Sequence, residues 1–429
     1  MPTRPNKRHG KHPTAAAAST AAVSASASRS STAETKRRLI NRCLEQDPVE
    51  IQTLRRLAIS RDGLLNDGIR RRVWPKLVGS SLYSSPDLPT EDQLRQHRDY
   101  NQVQLDIRRS YKRFPHDARR SHCRRMHADL SDLIMTCLCL SPQSHYYQGF
   151  HDVALLWLLA VGSDAALVVL LKVMDCHISD FMDTDMKRTT SMLAFIYTIL
   201  RHHDPQLEAF LQRSEVGTVF SLSWLLTWFS HVVESTSDAT RLQDLFLATH
   251  PFMPLYLSAA IILHRREEIL SCECELSAVH LLLSRFPQTL PWESLITSAL
   301  SLHHAYPVSL FARSKAAHCF ALQSYESFED RLWRQPSDTS LCKKMWKRSE
   351  RAPGRTEDDH HRYQQASTLG RSKPHAANNG GMSTSAAAAG DGAGESVVWQ
   401  VRRAAFLGVS ATVGIASAVL FTLASDSLF

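Results

Sequence analysis

Several of the usual carriers of chemistry are missing from this chain of 429 residues. It has no GxxxxGK[ST] phosphate loop, no GxGxxG turn and no GxSxG elbow, so nothing points to a nucleotide of its own or a nucleophile of its own. No CxxC knuckles occur with matched partners. The pairs Cys137/Cys139 and Cys272/Cys274 stand inside apolar, helix-patterned segments, at spacings that do not suit a structural metal. An odd count of nine cysteines fits reduced thiols in a cytosolic protein. Sustained apolar–polar alternation, the mark of strands, is absent too. The first acid is Glu34, and before it the Ala/Ser-rich stretch carries only bases, Arg4, Lys7, Arg8, Lys11 and Arg29 among them. That stretch lacks the large apolar stripe of an amphipathic transit peptide.

What remains divides into four parts. Residues 1–38 read as a disordered basic arm, and residues 39–335 have the mixed composition of a globular domain. Residues 336–398, with "NNGGMSTSAAAAGDGAGES", read as a disordered linker, because such a composition buries too little apolar surface to offset chain entropy. Residues 404–425 carry no charge and are long enough to cross a bilayer as a helix. Trp399, Arg402 and Arg403 precede that stretch, as interfacial and cytosol-side residues do, so it reads as a C-terminal tail anchor. Two further uncharged windows, Val216–Val233 and Leu245–Leu263, are read as core helices, the second broken by "HPFMP". The doublets at His202/His203, His303/His304 and His360/His361 lack metal-pair spacing and are read as surface.

The globular part reads as all-helical. Leu54 and Leu57, then Leu130, Leu133 and Ile134, then Leu276, Val279 and Leu283 recur at helical spacing. A net charge of +8 favours an acidic partner or an anionic membrane. The bases are scattered and no nucleic-acid-binding signature occurs, so no nucleic-acid partner is expected.

Within "QVQLDIRRSYKRFP" (102–115), Val103, Ile107, Tyr111 and Phe114 fall on one helical stripe and face the core. Arg109 points nearly opposite. Asp106 lies three residues before it, close enough to steer its guanidinium. Taken alone, such an arginine is ordinarily solvated helix surface. A second stretch, "YYQGFHDV" (146–153), places Gln148 and Gly149 in a turn before an apolar helix. Gly149 permits the turn. Gln148 then either points outward or caps the helix.

These two stretches, as Val103-x-x-Asp106-x-x-Arg109 and Tyr146-x-Gln148-Gly149, resemble the I-x-x-D-x-x-R and Y-x-Q-G motifs of the TBC family of Rab GTPase-activating proteins. "GIRRRVWPKLVG" (68–79) resembles the family's opening R-x-x-x-W, with Arg70 and Trp74 in place, an i,i+4 pair able to stack and assigned to folding. "SWLLTWF" (223–229) and "RLQDLFL" (241–247) resemble its later segments. The likeness runs in order over roughly residues 55–310, with Val103 in place of isoleucine as one departure.

The resemblance implies a two-lobed helical domain that supplies Arg109 as an arginine finger and Gln148 as a glutamine finger in trans to a Rab GTPase. Asp106 would orient Arg109, and Tyr146 and Gly149 would shape the glutamine loop. Arg108, Arg119 and Arg120 either meet an acidic Rab surface or are solvated. GTP and Mg²⁺ would be held by the Rab, and no cofactor is expected on this chain. Together with the tail anchor and "VHLLLSRFPQTLPWESLI" (279–296), the likeness points to a cytosol-facing member on endoplasmic-reticulum membranes, acting at the ER-to-Golgi step. A membrane-anchored adaptor that binds a Rab without accelerating hydrolysis is the other reading.

Overall fold

A computed structural model describes residues 31–79, 88–109 and 120–311. The expected linker and tail anchor, the arm up to residue 30 and the end of the expected globular part lie outside these residues. Every described element is helical. No described helix is long and apolar enough to cross a membrane.

The first helix, α1 (31–45), begins ahead of the expected boundary at residue 38. Glu34 pairs with Arg37 and Arg38 along its exposed face. Lys36 and Ile40 turn inward, and the Lys36 ammonium donates to the Arg61 carbonyl at 2.7 Å. Burial lowers the Lys36 pKa to about 8. This anchorage makes residues 31–38 part of the folded domain, a correction to the reading of 1–38 as a disordered arm.

After α2 (Ile51–Ile59), Asn66 caps α3 (Asp67–Leu77) by accepting from the Ile69 amide. A Thr90 capping box starts α4 (Glu91–Gln96), which leads into α5 (Tyr100–Arg109). Next come α6 (Arg120–Leu140), α7 (Phe150–Val161) and α8 (Ser163–Cys176). The chain then forms α9 (Lys187–His203) and α10 (Pro205–Arg213), the latter started by an Asp204 cap with Pro205 behind it. A short α11 (Leu222–Leu226) precedes α12 (Thr236–Ala248) and α13 (Met253–His264). The last are α14 (Arg266–Leu270), α15 (Leu276–Ser284) and α16 (Trp292–Ala305).

Packing falls into two groups. In the first, α7 and α8 lie against α3 and α6, with α5 across α6 and α7; in the second, α13 is flanked by α9 and α16. Helix α12 touches α2, α3 and α7 on one side and α13 on the other. One continuous apolar core runs through both groups. Helices α7 and α13 are buried along nearly their whole length, which explains why their sequences carry almost no charge.

The "HPFMP" break falls where expected, between α12 and α13. The other uncharged window departs from expectation. Of Val216–Val233, only α11 and a three-residue 3₁₀ turn, Val219–Ser221, are helical. Trp228 and Phe229 take positive φ of 45° and 63°, and Thr227 Oγ1 donates back to the Ser223 carbonyl. Two large rings drawn into the core in succession leave no helical path. His303 is also not a surface residue: it is half-buried, edge-on to Tyr256 at 5.0 Å.

Candidate functional site

On α5, Val103 and Ile107 are buried, so valine at this position serves the core face as isoleucine would. Tyr111 and Phe114, the rest of the expected stripe, lie outside the described residues. The opposite face presents Leu105, Arg108 and Arg109 to solvent. The Arg109 side chain is 61% exposed, while its partner Asp106 is 1% exposed. Arg109 Nη1 donates to Asp106 Oδ1 at 3.3 Å. Its other guanidinium donors find no partner among the described residues. Asp106 is held from behind: Gln102 Nε2 donates to Oδ2 at 3.1 Å, and the Tyr146 hydroxyl donates to the same oxygen at 3.2 Å.

That last bond joins the two motifs. Tyr146 belongs to the loop carrying Gln148, so α5 and the loop before α7 share one buried carboxylate. Burial first, then the adjacent Asp106 carboxylate, push the Tyr146 phenol well above its ordinary range, keeping it a donor.

The loop is tied at each residue around Gln148. The His145 amide donates to the Met182 carbonyl at 2.8 Å, and the Tyr146 amide donates to Asp99 Oδ2 at 3.1 Å. The Tyr147 hydroxyl donates to the Leu226 carbonyl at 2.8 Å, with its ring packed edge-on against Phe181. Gly149 stands at the N-cap of α7 with φ 111° and ψ −20°, a conformation that side chains resist. No side chain caps that helix, so Gln148 is not its cap. Its amide is half-buried and takes no hydrogen bond among the described residues.

Arg70 and Trp74 are placed elsewhere. Rather than stacking on each other, both converge on Asp244 of α12. Arg70 Nη2 donates to Asp244 Oδ2 at 3.0 Å and Arg70 Nη1 to Asp67 Oδ1 at 2.8 Å. Trp74 Nε1 donates to Asp244 Oδ1 at 2.8 Å, and the Leu64 amide donates to Oδ2 at 2.9 Å. Asp244 is fully buried. Gly63, φ 51°, lies so close that a Cβ there would collide with the Asp244 carboxylate. Burial pulls the Arg70 pKa down most strongly of any one influence, but the Asp244 and Asp67 carboxylates together outweigh it and the net direction is up. Next door, Gln243 accepts from Trp157 Nε1 at 3.2 Å and donates to the Trp228 carbonyl at 3.0 Å.

Sequence reasoning did not single out His151, Asp152, His231 or Asp244. Asp244 sits within the family-like "RLQDLFL", which was the available signal. His151 and Asp152 stand just past the YYQG motif, after Phe150, and the signal at His231 was only its place among the polar residues that interrupt an apolar window. Arg119 and the side chain of Arg120 lie outside the described residues. Among those described, no group of His, Cys, Asp and Glu is arranged to hold a metal ion.

The all-helical domain that carries this arrangement matches a known class. A family model for the Rab-GTPase-TBC domain matches residues 67–270, and the chain belongs to this family of Rab GTPase-activating proteins. It is 43% identical to human TBC1 domain family member 20 over 278 residues, which are 65% of this chain and 69% of that protein. The GTPase-activating protein gyp10 of Schizosaccharomyces pombe is 29% identical over 264 residues, 61% of this chain and 70% of the relative. In fold, the chain is similar to the crystal structure of the Ypt/Rab-GAP domain of Gyp1p. There the TM-score is 0.51 at 15% identity, covering 64% of this chain and 99% of that one.

Proposed function

We propose that this chain activates a Rab GTPase of the early secretory pathway by lending it Arg109 and Gln148 during GTP hydrolysis. The observation that carries the reading is the geometry of Asp106: nearly inaccessible itself, it holds an exposed Arg109 and the Gln148 loop at once.

The chemistry follows from the residue types. As water attacks the γ-phosphorus and the bond to the β–γ bridging oxygen breaks, negative charge spreads over the phosphoryl oxygens. A guanidinium is permanently charged and forks onto such oxygens. When supplied in trans, it accelerates GTP hydrolysis by about 10³–10⁵. The Gln148 amide, both donor and acceptor, orients the attacking water. Asp106 acts by positioning Arg109, and Tyr146 and Gly149 by positioning Gln148. The chain makes and breaks no bond itself; GTP and Mg²⁺ belong to the Rab, and no cofactor is required on this side. Arg70 and Trp74 support the fold.

The uncharged stretch 404–425 supports a tail anchor that holds the domain on the cytosolic face of the endoplasmic reticulum or early Golgi membranes.

The test is single-turnover GTP hydrolysis on a panel of purified Rabs, with the full-length chain in detergent and with Arg109→Ala and Gln148→Ala beside it. At least one Rab should be accelerated a hundredfold or more, and Arg109→Ala should abolish the gain. A Rab that binds without acceleration would instead make the chain an adaptor.

A further inference from the structure

Behind the two candidate fingers lies a second line of polar side chains that the proposed chemistry does not use. The Tyr146 hydroxyl touches not only Asp106 but also His151 Nδ1, at 2.8 Å, in a buried contact. His151 Nε2 lies 3.8 Å from Asp152 Oδ2. The same Asp152 oxygen is 2.8 Å from His231 Nδ1. His231 sits after α11, and its amide donates to Thr227 Oγ1 at 3.2 Å. The line thus runs from Arg109 on α5, through Asp106 and Tyr146, to the first turn of α7, and ends on the segment that follows α11.

The donor count fixes the direction of each bond. A tyrosine hydroxyl has one hydrogen, and here it goes to the Asp106 carboxylate. At the contact with His151 the hydroxyl oxygen can only accept, so His151 Nδ1 must carry a proton and donate. A carboxylate only accepts, so His231 Nδ1 donates to Asp152. His151 therefore stands behind Tyr146 as Tyr146 stands behind Asp106. Each bond removes a rotation from the group in front of it.

Resting on the reading of Arg109 as the arginine finger, we infer that His151 is a positioning residue for hydrolysis. It aims the Tyr146 hydroxyl at Asp106 and so holds the Arg109 guanidinium in register with the Gln148 loop. Asp152, held by His231, flanks the far edge of the ring at 3.8 Å without a hydrogen bond to it. Without the His151 donor, the hydroxyl can turn away from Asp106, and Asp106 loses one of the two bonds to Oδ2. The docking surface does not change, because His151 and Asp152 are buried. The step affected is the chemical one, not the encounter.

The experiment uses the full-length chain and the Rab with the largest response in the panel. Single-turnover rates are measured against activator concentration for wild type, His151→Phe, His151→Asn, Tyr146→Phe and Arg109→Ala, with thermal unfolding of each. The phenylalanine ring keeps the bulk and loses the donor. The asparagine amide places an N–H close to where Nδ1 stood.

Losing one such hydrogen bond should lower the saturating rate of His151→Phe by about three- to tenfold. The half-saturating concentration should stay within about twofold. His151→Asn should recover most of the rate, and Tyr146→Phe should lose at least as much as His151→Phe.

The inference is overturned if His151→Phe leaves the saturating rate unchanged. It is equally overturned if both His151 variants lose rate in step with a lowered unfolding temperature, which is what a merely structural residue would do. An Arg109→Ala chain that keeps full activity, or a panel in which no Rab responds, overturns the finger assignment and this inference together. An inactive Arg109→Ala beside an undisturbed His151→Phe overturns this inference alone.

Discussion

Arg70 and Arg109 each sit three residues from an aspartate on one helix, and the protein treats them in opposite ways. Arg70 is 8% exposed, and its Nε, Nη1 and Nη2 all donate to carboxylates. Arg109 is 61% exposed and spends one donor, at 3.3 Å. At Arg70 all three guanidinium nitrogens are engaged, Nε and Nη2 with Asp244 in joining α3 to α12, and Nη1 with Asp67 on α3 itself. At Arg109 the aspartate takes only enough of the guanidinium to aim it. A satisfied arginine is a structural part. An arginine whose carboxylate is buried while its own head is in water is held ready for something else.

The largest expected effect breaks the comparison at Arg109. Replacing it with alanine should cost about 10³-fold or more in stimulated hydrolysis. The unfolding free energy should shift by less than about 0.5 kcal/mol, as for an exposed position. A chain that loses stability instead would make Arg109 another Arg70. The reciprocal break is Arg70→Met. It leaves Asp244 buried with its charge uncompensated, and should destabilise the domain by about 3–5 kcal/mol in denaturant titration. Any fraction still folded should keep its activity.

Gln148→Ala sharpens the contrast on the other motif. If Gln148 acts near the transition state as proposed, its removal should lower the saturating rate by about 10²-fold, with circular dichroism and melting unchanged.

The smallest effect tests the core alone, through pH. Burial pushes both His177 and His250 down to about 3, so both are neutral in the folded protein near neutrality. An unfolded histidine titrates near 6.5. Below about pH 6.5 the unfolded chain therefore binds protons that the folded chain refuses, and stability falls as pH drops from there towards 3. The loss is at most about 1.4 kcal/mol per pH unit for each group. Denaturant midpoints measured from pH 7 to 5 should fall accordingly, and His177→Phe should flatten the slope. A slope unchanged by that substitution would remove His177 from the account.

The parts of this molecule that were legible in the sequence are those whose partners are near in the chain. Asp106 and Arg109 share a helix face three residues apart, so helical periodicity alone pairs them. Gly149 declares its turn by lacking a Cβ. What stayed hidden were partners brought together by folding. Asp244 meets Arg70 across 174 positions, and His231 meets Asp152 across 79. Composition misled where tertiary packing overruled local preference. The uncharged Val216–Val233 is as apolar as a helix should be, but Trp228 and Phe229 are fixed in place by the core they fill. Likewise Lys36, a residue that composition assigns to solvent, finds carbonyl acceptors and pulls residues 31–38 into the fold.

The tethering of the Gln148 loop has a consequence for timing. His145, Tyr146 and Tyr147 are each bound to a different part of the protein, and α7 begins directly after Gly149. The backbone at Gln148 therefore surrenders its conformational entropy when the domain folds, not when a partner arrives. On the proposed reading, Gln148 and Arg109 have their side-chain torsions left to freeze at the encounter, a cost of about 0.5–1.5 kcal/mol for each such side chain. A catalyst that must release its partner after every turnover gains from this arrangement. Under the proposed function, the reactive geometry would be reached without a tight complex, so recognition could stay weak while the chemistry is fast.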